Sequence, residues 1–278
     1  MSVRFEEETA VSPLGGGRYA ASFSRDWFVF AGPNGGVVAA VVLRACMAEI
    51  ADGSRPPRTL TVHYLAPPAE GPAEVQVTVE RAGRGISFVS ARLTQAGAAK
   101  ATALAAFGPA RGEGMRWDAR PRPELPPPGE CPELDEASGE NGPPAIRDRW
   151  ECRWGLGDNG PLDADRGTLT GGWLRARDAA VVDHVLVAAM ADAWAPPMIV
   201  RRGDHVFGVP TVELTVHFRD SADLATLDPK GWFACTFHTD VVQEGFAEED
   251  GCIWSADGRL VAMSRQLAAV VDRREVHR

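Results

Sequence analysis

The chain lacks any apolar run long enough to cross a bilayer: Val37 to Leu43, unsurpassed in length, stops at Arg44, far short of the roughly 20 residues a membrane helix needs. Its opening, MSVRFEEET, has neither the basic stretch nor the apolar stretch of a secretion leader. No membrane span and no leader are therefore expected. There is no C-x-x-C pair. The five cysteines, Cys46, Cys131, Cys152, Cys235 and Cys252, are odd in number and widely spaced, which fits a reduced, cytoplasmic setting. Positive charge is in deficit, 29 Lys and Arg against 38 Asp and Glu, for a net −9. That balance disfavours sequence-independent attraction to nucleic-acid phosphates or anionic lipid.

Several chemical signatures are also missing. Gly85-Ile86-Ser87-Phe88-Val89 lacks the closing glycine of a nucleophile elbow. Gly15-Gly16-Gly17 runs into Arg18 without phosphate-loop spacing, and no G-x-G-x-x-G sits between a strand and a helix. Asp163-Ala164-Asp165 opens like a calcium loop, but Gly167 comes one place early and Leu174 stands at the twelfth position. No metal and no cofactor is expected.

What is present is a globular chain of 278 residues, 45% hydrophobic and 24% charged, enough for two ordinary domains. Between Ala119 and Pro144 it turns rich in proline, glycine and acid, with too few apolar residues to offset the entropy of ordering. The expected division is an N-terminal unit over 1–115, a linker over 116–164 and a C-terminal unit over 165–278.

The two units repeat one another. Leu43-Arg44-Ala45-Cys46-Met47-Ala48-Glu49 reads against Leu186-Val187-Ala188-Ala189-Met190-Ala191-Asp192, and Leu60-Thr61-Val62-His63-Tyr64 against Leu214-Thr215-Val216-His217-Phe218. Two blocks in one order point to an internal duplication. Each unit has a helix apolar around most of its circumference, with Val37, Val38, Val41, Val42, Leu43, Met47 and Ile50 in the first and Val181, Val182, Val185, Leu186, Met190 and Trp194 in the second. Such helices are buried on most sides. Asn34 is placed to cap the first, Asp178 precedes the second run, and Pro196-Pro197 ends it. Val75, Val77 and Val79 alternate with Glu74, Gln76, Thr78 and Glu80, the period of an antiparallel sheet with one wet face. Hairpin turns are expected at Gln95-Ala96-Gly97 and Ala256-Asp257-Gly258.

A buried helix followed by antiparallel strands, occurring twice, resembles the double hot-dog architecture of the type II acyl-CoA thioesterases. The resemblance is carried by Gly35-Gly36-Val37-Val38, Gly85-Ile86-Ser87-Phe88 and Asp257-Gly258-Arg259-Leu260-Val261-Ala262. It implies an α+β fold of two repeats, each a central helix wrapped by a curled antiparallel sheet, that hydrolyses acyl-CoA and associates as a homo-oligomer. It also implies a hydrolytic water held by an acid on the second helix, a Thr opening the next strand and a Gln late in the last. These fall on Asp192, Thr211 and Gln266.

The residue types suit that chemistry. Apolar neighbours Met190, Ala191, Ala193 and Trp194 would raise the Asp192 pKa toward that of a general base, and a hydroxyl and an amide can together hold a water. Against the first repeat, Glu49 stands opposite Asp192, Pro57 opposite Thr211 and Ala105 opposite Gln266, so only the second half keeps the full set. The first site is expected to be degenerate and to wall an acyl tunnel, with Trp194 and Met190 as core or tunnel lining. Strand parity groups Thr211 with Glu213, Thr215 and His217 on the wet face, at odds with an inward role unless the chain bends near Val209-Pro210. Gln266 shares parity with small, apolar residues and needs a partner. His63 and His217 read as a structural pair. Arg81, Arg84 and Arg92 read either as contacts for coenzyme A phosphates or as solvated charges. The acids Glu248-Glu249-Asp250 depart from a usual hot-dog strand. A non-catalytic acyl-CoA or lipid-binding protein is the alternative, and a hydratase is disfavoured because Gly203-Asp204-His205 does not continue into G-D-x-N-P-x-H.

Overall fold

A computed structural model describes residues 4–29, 31–111, 115, 117–133, 144–156, 169–197, 207–219 and 224–272. The possible calcium loop at 163–165 and the segment 203–205 lie outside them.

Three α-helices are described: α1 (Arg4–Glu8), α2 (Gly35–Ile50) and α3 (His184–Met190). The strands are β1 (Ser12–Gly15), β2 (Arg18–Phe23), β3 (Pro57–Tyr64), β4 (Gly71–Arg81), β5 (Ser87–Gln95), β6 (Ala98–Phe107), β7 (Trp150–Leu156) and β8 (Thr170–Ala176) in the first part of the chain. After α3 come β9 (Phe207–Gly208), β10 (Thr211–Phe218), β11 (Phe233–His238), β12 (Val242–Gln243), β13 (Phe246–Trp254), β14 (Leu260–Ala269) and β15 (Val271–Asp272).

α2 forms because its apolar residues leave no polar stripe to solvate. Val37 to Leu43, Ala45 and Cys46 are all at most 2% exposed, and each fully buried Val or Leu contributes about 1.5–3 kcal/mol. Asn34 caps it, accepting from the Gly36 N–H at 3.0 Å, and Ala51 ends it in the left-handed region at φ 49°. α3 is shorter than expected. It starts at His184 with Asp183 as its cap, while Asp178 pairs with Arg149 at 2.9 Å.

The main sheet runs in the order β1-β2-β4-β5-β6-β3-β10-β14-β13-β11-β8-β7, all pairs antiparallel, with β12 on β13 and a separate β9–β15 pair. The order reads as two similar halves meeting at β3 and β10. At that junction Thr61 stands opposite Thr215, their hydroxyls 2.8 Å apart, and these two threonines are equivalent positions of the repeat. The register agrees in detail. Leu60 faces Ala105 in the first half as Leu214 faces Gln266 in the second, and a bulge between Pro57 and Thr59 is matched by one between Thr211 and Glu213. The hairpin turn at 95–97 has φ 49° at Ala96 and 79° at Gly97, the paired positive values of a tight two-residue turn.

Three expectations need adjustment. The segment read as linker contains β7, which pairs with β8 at the sheet's edge. Val79 is 38% exposed where Val75 and Val77 are buried, although its register is unbroken up to the bulge that follows it: the buried face of β4 ends at Val77. His63 and His217 are exposed and oppose Glu213 and Thr59 rather than each other. All five cysteines are buried and unpaired with one another, and no described helix is long and apolar enough to cross a membrane.

Candidate active site

Asp192 follows α3 directly and lies against the start of α2. Its Oδ2 accepts from the Asn34 Nδ2 at 2.9 Å and from the Gly36 N–H at 3.0 Å, and Asn34 Nδ2 also reaches the Asp192 carbonyl at 2.8 Å. The acid of the second half is thus held by the helix cap of the first. Glycine is required there. A Cβ on Gly36 would stand 2.5 Å from the Ala189 carbonyl, and one on Gly35 would stand 2.9 Å from Asp192 Oδ2. Tyr64, at the end of β3, donates to the Gly35 carbonyl at 2.8 Å.

Burial pushes the Asp192 carboxyl up to about 6, opposed by the Gly36 N–H, the Gln266 and Asn34 side chains and the Arg147 charge. That value suits a base working near neutrality. Burial also holds the Tyr64 hydroxyl well above its usual range, with the Asp192 and Glu213 charges adding to it.

Gln266 is 5% exposed on β14, the strand between β10 and β13. Its amide is engaged on both sides. Thr211 Oγ1 donates to Gln266 Oε1 at 2.9 Å, and Gln266 Nε2 donates to Glu249 Oε1 at 2.6 Å. The Gln266 side chain also acts to lower the Asp192 pKa, which puts it near the acid while the amide's hydrogen bonds go to Thr211 and Glu249. Thr211 reaches it despite its parity because the bulge between Thr211 and Glu213 adds a residue and reverses the alternation at the strand's start.

Sequence profiles of known families match both halves: the acyl-CoA thioesterase N-terminal domain over residues 23–108 and the acyl-CoA thioesterase C-terminal domain over 128–270. The second alone spans just over half of the chain. The chain belongs to the acyl-CoA thioesterase family. This thioesterase is a thioester hydrolase of the hot-dog class. Among solved structures it is similar to a conserved hot-dog protein of unknown function from Alicyclobacillus acidocaldarius, with 25% identity, TM-score 0.87, and 98% of this chain and 99% of that one covered. It is also similar to a candidate thioesterase II from Thermobifida fusca YX (28%, 0.80, 96% and 97%). In fold it matches an acyl-CoA thioesterase II from Mycobacterium marinum (20%, 0.74, 96% and 98%). The comparison with curated proteins returned no match.

Sequence reasoning missed part of the thioesterase's site. Asn34 was legible only as a helix cap. Glu249 read as one acid in a run of three, yet it is 9% exposed beside Gln266, and burial pushes its carboxyl up to about 8. A signal existed, since Glu249 shares strand parity with Ala247, Gly251 and Ile253, a small and apolar set. Trp194 is buried, stacked on Phe237 at 6.4 Å and donating to Thr170 Oγ1 at 3.0 Å. Arg81, Arg84 and Arg92 are exposed on β4, the turn after it and β5. Among the described residues no cluster of His, Cys, Asp and Glu could hold a metal.

Proposed function

We propose that this enzyme hydrolyses acyl-CoA thioesters through a water activated by Asp192 and positioned by Thr211 and Gln266. The supporting observation is the buried Thr211–Gln266 hydrogen bond beside an acid that Gln266 influences and that is tethered through Oδ2. Because Asn34 and Gly36 both bond Oδ2, the carboxylate is fixed in orientation while Oδ1 carries neither of those bonds and can accept a proton. Orientation of this kind is what lowers the barrier to a general-base attack. The base gives its proton to the departing thiolate after the tetrahedral intermediate collapses, so no covalent acyl-enzyme is needed.

The two-repeat reading, with each helix wrapped by its own half of a curled sheet and units over 1–115 and 165–278, belongs to this proposal, as does association into a homo-oligomer. A carrier that binds acyl-CoA without turnover is the alternative. Release of free thiol from a panel of acyl-CoAs decides between them. Replacing Asp192 by Asn removes the base but keeps an acceptor for Gly36, and should lower kcat by about 10²–10⁴ in a folded protein. Since the base works as the carboxylate, wild-type kcat/KM should rise with pH through about 6. Undiminished turnover by Asp192→Asn would overturn the assignment.

A further inference from the structure

We propose that Glu249 is a positioning residue of this site, clamping the Gln266 amide from the side opposite Thr211 so that its second Nε2 hydrogen is directed to Asp192 and the reacting water. The inference rests on the assignment of Asp192, Thr211 and Gln266 above and extends it by one residue.

The geometry is set by the sheet. Glu249 on β13 and Gln266 on β14 are directly opposed cross-strand partners, and both side chains are buried. An amide has one oxygen acceptor and two N–H donors. Thr211 takes the oxygen at 2.9 Å and Glu249 takes one N–H at 2.6 Å, which leaves one N–H. Held at both ends, the amide is biased against a 180° rotation, which would turn its oxygen toward the accepting Glu249 Oε1 and its NH2 toward Thr211 and would require the Glu249 proton to move to Oε1. Without Glu249 only Thr211, whose hydroxyl can donate or accept, would select the orientation. Buried hydrogen-bond networks of this kind rigidify a site.

The first half shows the same frame without the clamp. Ala105, the counterpart of Gln266, is opposed across the hairpin by Val89, which is 1% exposed. Glu249 therefore replaces a core valine at the one place where a buried amide needs an acceptor. Its neighbours Glu248 and Asp250 point to the other face by alternation and have their own partners there, the Asp240 and Val241 N–H groups and Arg265.

The charge state matters for the reaction. Burial is the main force against ionisation of Glu249, the Gln266 bond works the other way, and the charges of Asp192 and of its β13 neighbours Glu248 and Asp250 add to burial. The nearby cations do not relieve this: Arg265 on β14 pairs with Asp250, and His238 on β11 also stands against Asp250 at 3.9 Å. With its carboxyl pushed up to about 8, Glu249 is mostly protonated near neutrality and accepts from Gln266 through Oε1. When it ionises, a second negative charge appears beside Asp192, where the reaction already concentrates negative charge, and turnover falls.

The test is kcat and KM for hydrolysis of a fixed acyl-CoA by wild type, Glu249→Gln, Glu249→Leu and Asp192→Asn across pH 5 to 9.5, with circular dichroism on each. The wild-type rate should decline as pH rises through about 8. Glu249→Leu should lose kcat by about 10- to 100-fold with little change in KM. Glu249→Gln, which restores an acceptor that cannot ionise, should recover most of that loss and hold its rate above pH 8. Wild-type kcat in Glu249→Leu, or a decline near pH 8 surviving in Glu249→Gln, overturns the inference. If Glu249→Leu does not fold, the Glu249→Gln pH profile decides alone. An active Asp192→Asn would instead defeat the underlying assignment, so the two failures are distinguishable.

Discussion

Two corners of this molecule share a frame and differ in chemistry. In the second half, Thr211, Gln266 and Glu249 lie on three adjacent strands, β10, β14 and β13, and join hands through side chains. In the first half the equivalent strands β3, β6 and β5 carry Pro57, Ala105 and Val89. Even the bulge that turns Thr211 is present beside Pro57. At the first corner, between the end of α2 and the start of β3, lies a cavity of about 440 Å3 whose walls include Met47, Ile50, Arg58, Phe107 and His184. The duplicated backbone supplies strand order, register and bulge. The proposed hydrolytic chemistry requires polar side chains at particular points on it, and of the two copies the second carries Thr211, Gln266 and Glu249 where the first has Pro57, Ala105 and Val89.

The sharpest way to break this comparison is to exchange the paired acids. Asp192→Asn should cost about 10²–10⁴ in kcat, whereas equal losses from Glu49→Gln would mean that both corners work. The next largest effect is expected at the contact between the halves. In Gly36→Ala the new Cβ must displace the Ala189 carbonyl from 2.5 Å, and backbone cannot yield as a side-chain end does. A stability loss of about 3 kcal/mol, read by urea unfolding, should accompany a fall in kcat, because the same shift pulls the Gly36 N–H from Asp192. Full activity in a stable Gly36→Ala would show that the helix start does not orient the base.

Much of the frame was legible because it rests on patterns with a period. The all-round apolar helix, the two blocks Leu60–Tyr64 and Leu214–Phe218, and the turn at 95–97 each follow from local chemistry. Asp192 and Gln266 were placed by the resemblance, and Gln266 also by its parity. Thr211 shows the limit of that method: parity assigned it to the wet face, and a bulge, which leaves no mark in the alternation of residue types, brought it to Gln266. Asn34 and Glu249 escaped for a different reason. Their partners are 158 and 17 residues away, so their role depends on which strands and helices meet. The short α3 differs from expectation because Asp183, not Asp178, offers its carboxyl to a helical N–H.

A smaller effect comes from giving the first half one piece of the second. Ala105→Gln puts an amide at a position 4% exposed, opposite Val89 and Leu60, where neither neighbour can bond it. It should lose about 1–3 kcal/mol and gain no activity, and adding Val89→Glu should return part of the loss by supplying an acceptor. Additive losses in the double variant would mean that the cross-strand pair at 249 and 266 depends on its wider surroundings rather than on mutual satisfaction.

The smallest effect is expected from Glu49→Gln. Glu49 Oε2 accepts from the Tyr19 hydroxyl at 2.7 Å, a bond that a Gln oxygen can also accept, so stability should change by about 1 kcal/mol or less and turnover by nothing measurable. The charge, however, would be gone. Tyr19 is pushed up to about 12, first by burial and then by its bond to Glu49 and that residue's charge, and removing the carboxylate should lower it. The chain has only two tyrosines, and Tyr64 is held well above the usual range by burial and the Asp192 charge. Absorbance titration should therefore show the earlier tyrosine moving to lower pH in Glu49→Gln while the later one stays. A movement of both would mean that the two corners are electrostatically linked, and the comparison between an active and an idle half would have to be redrawn.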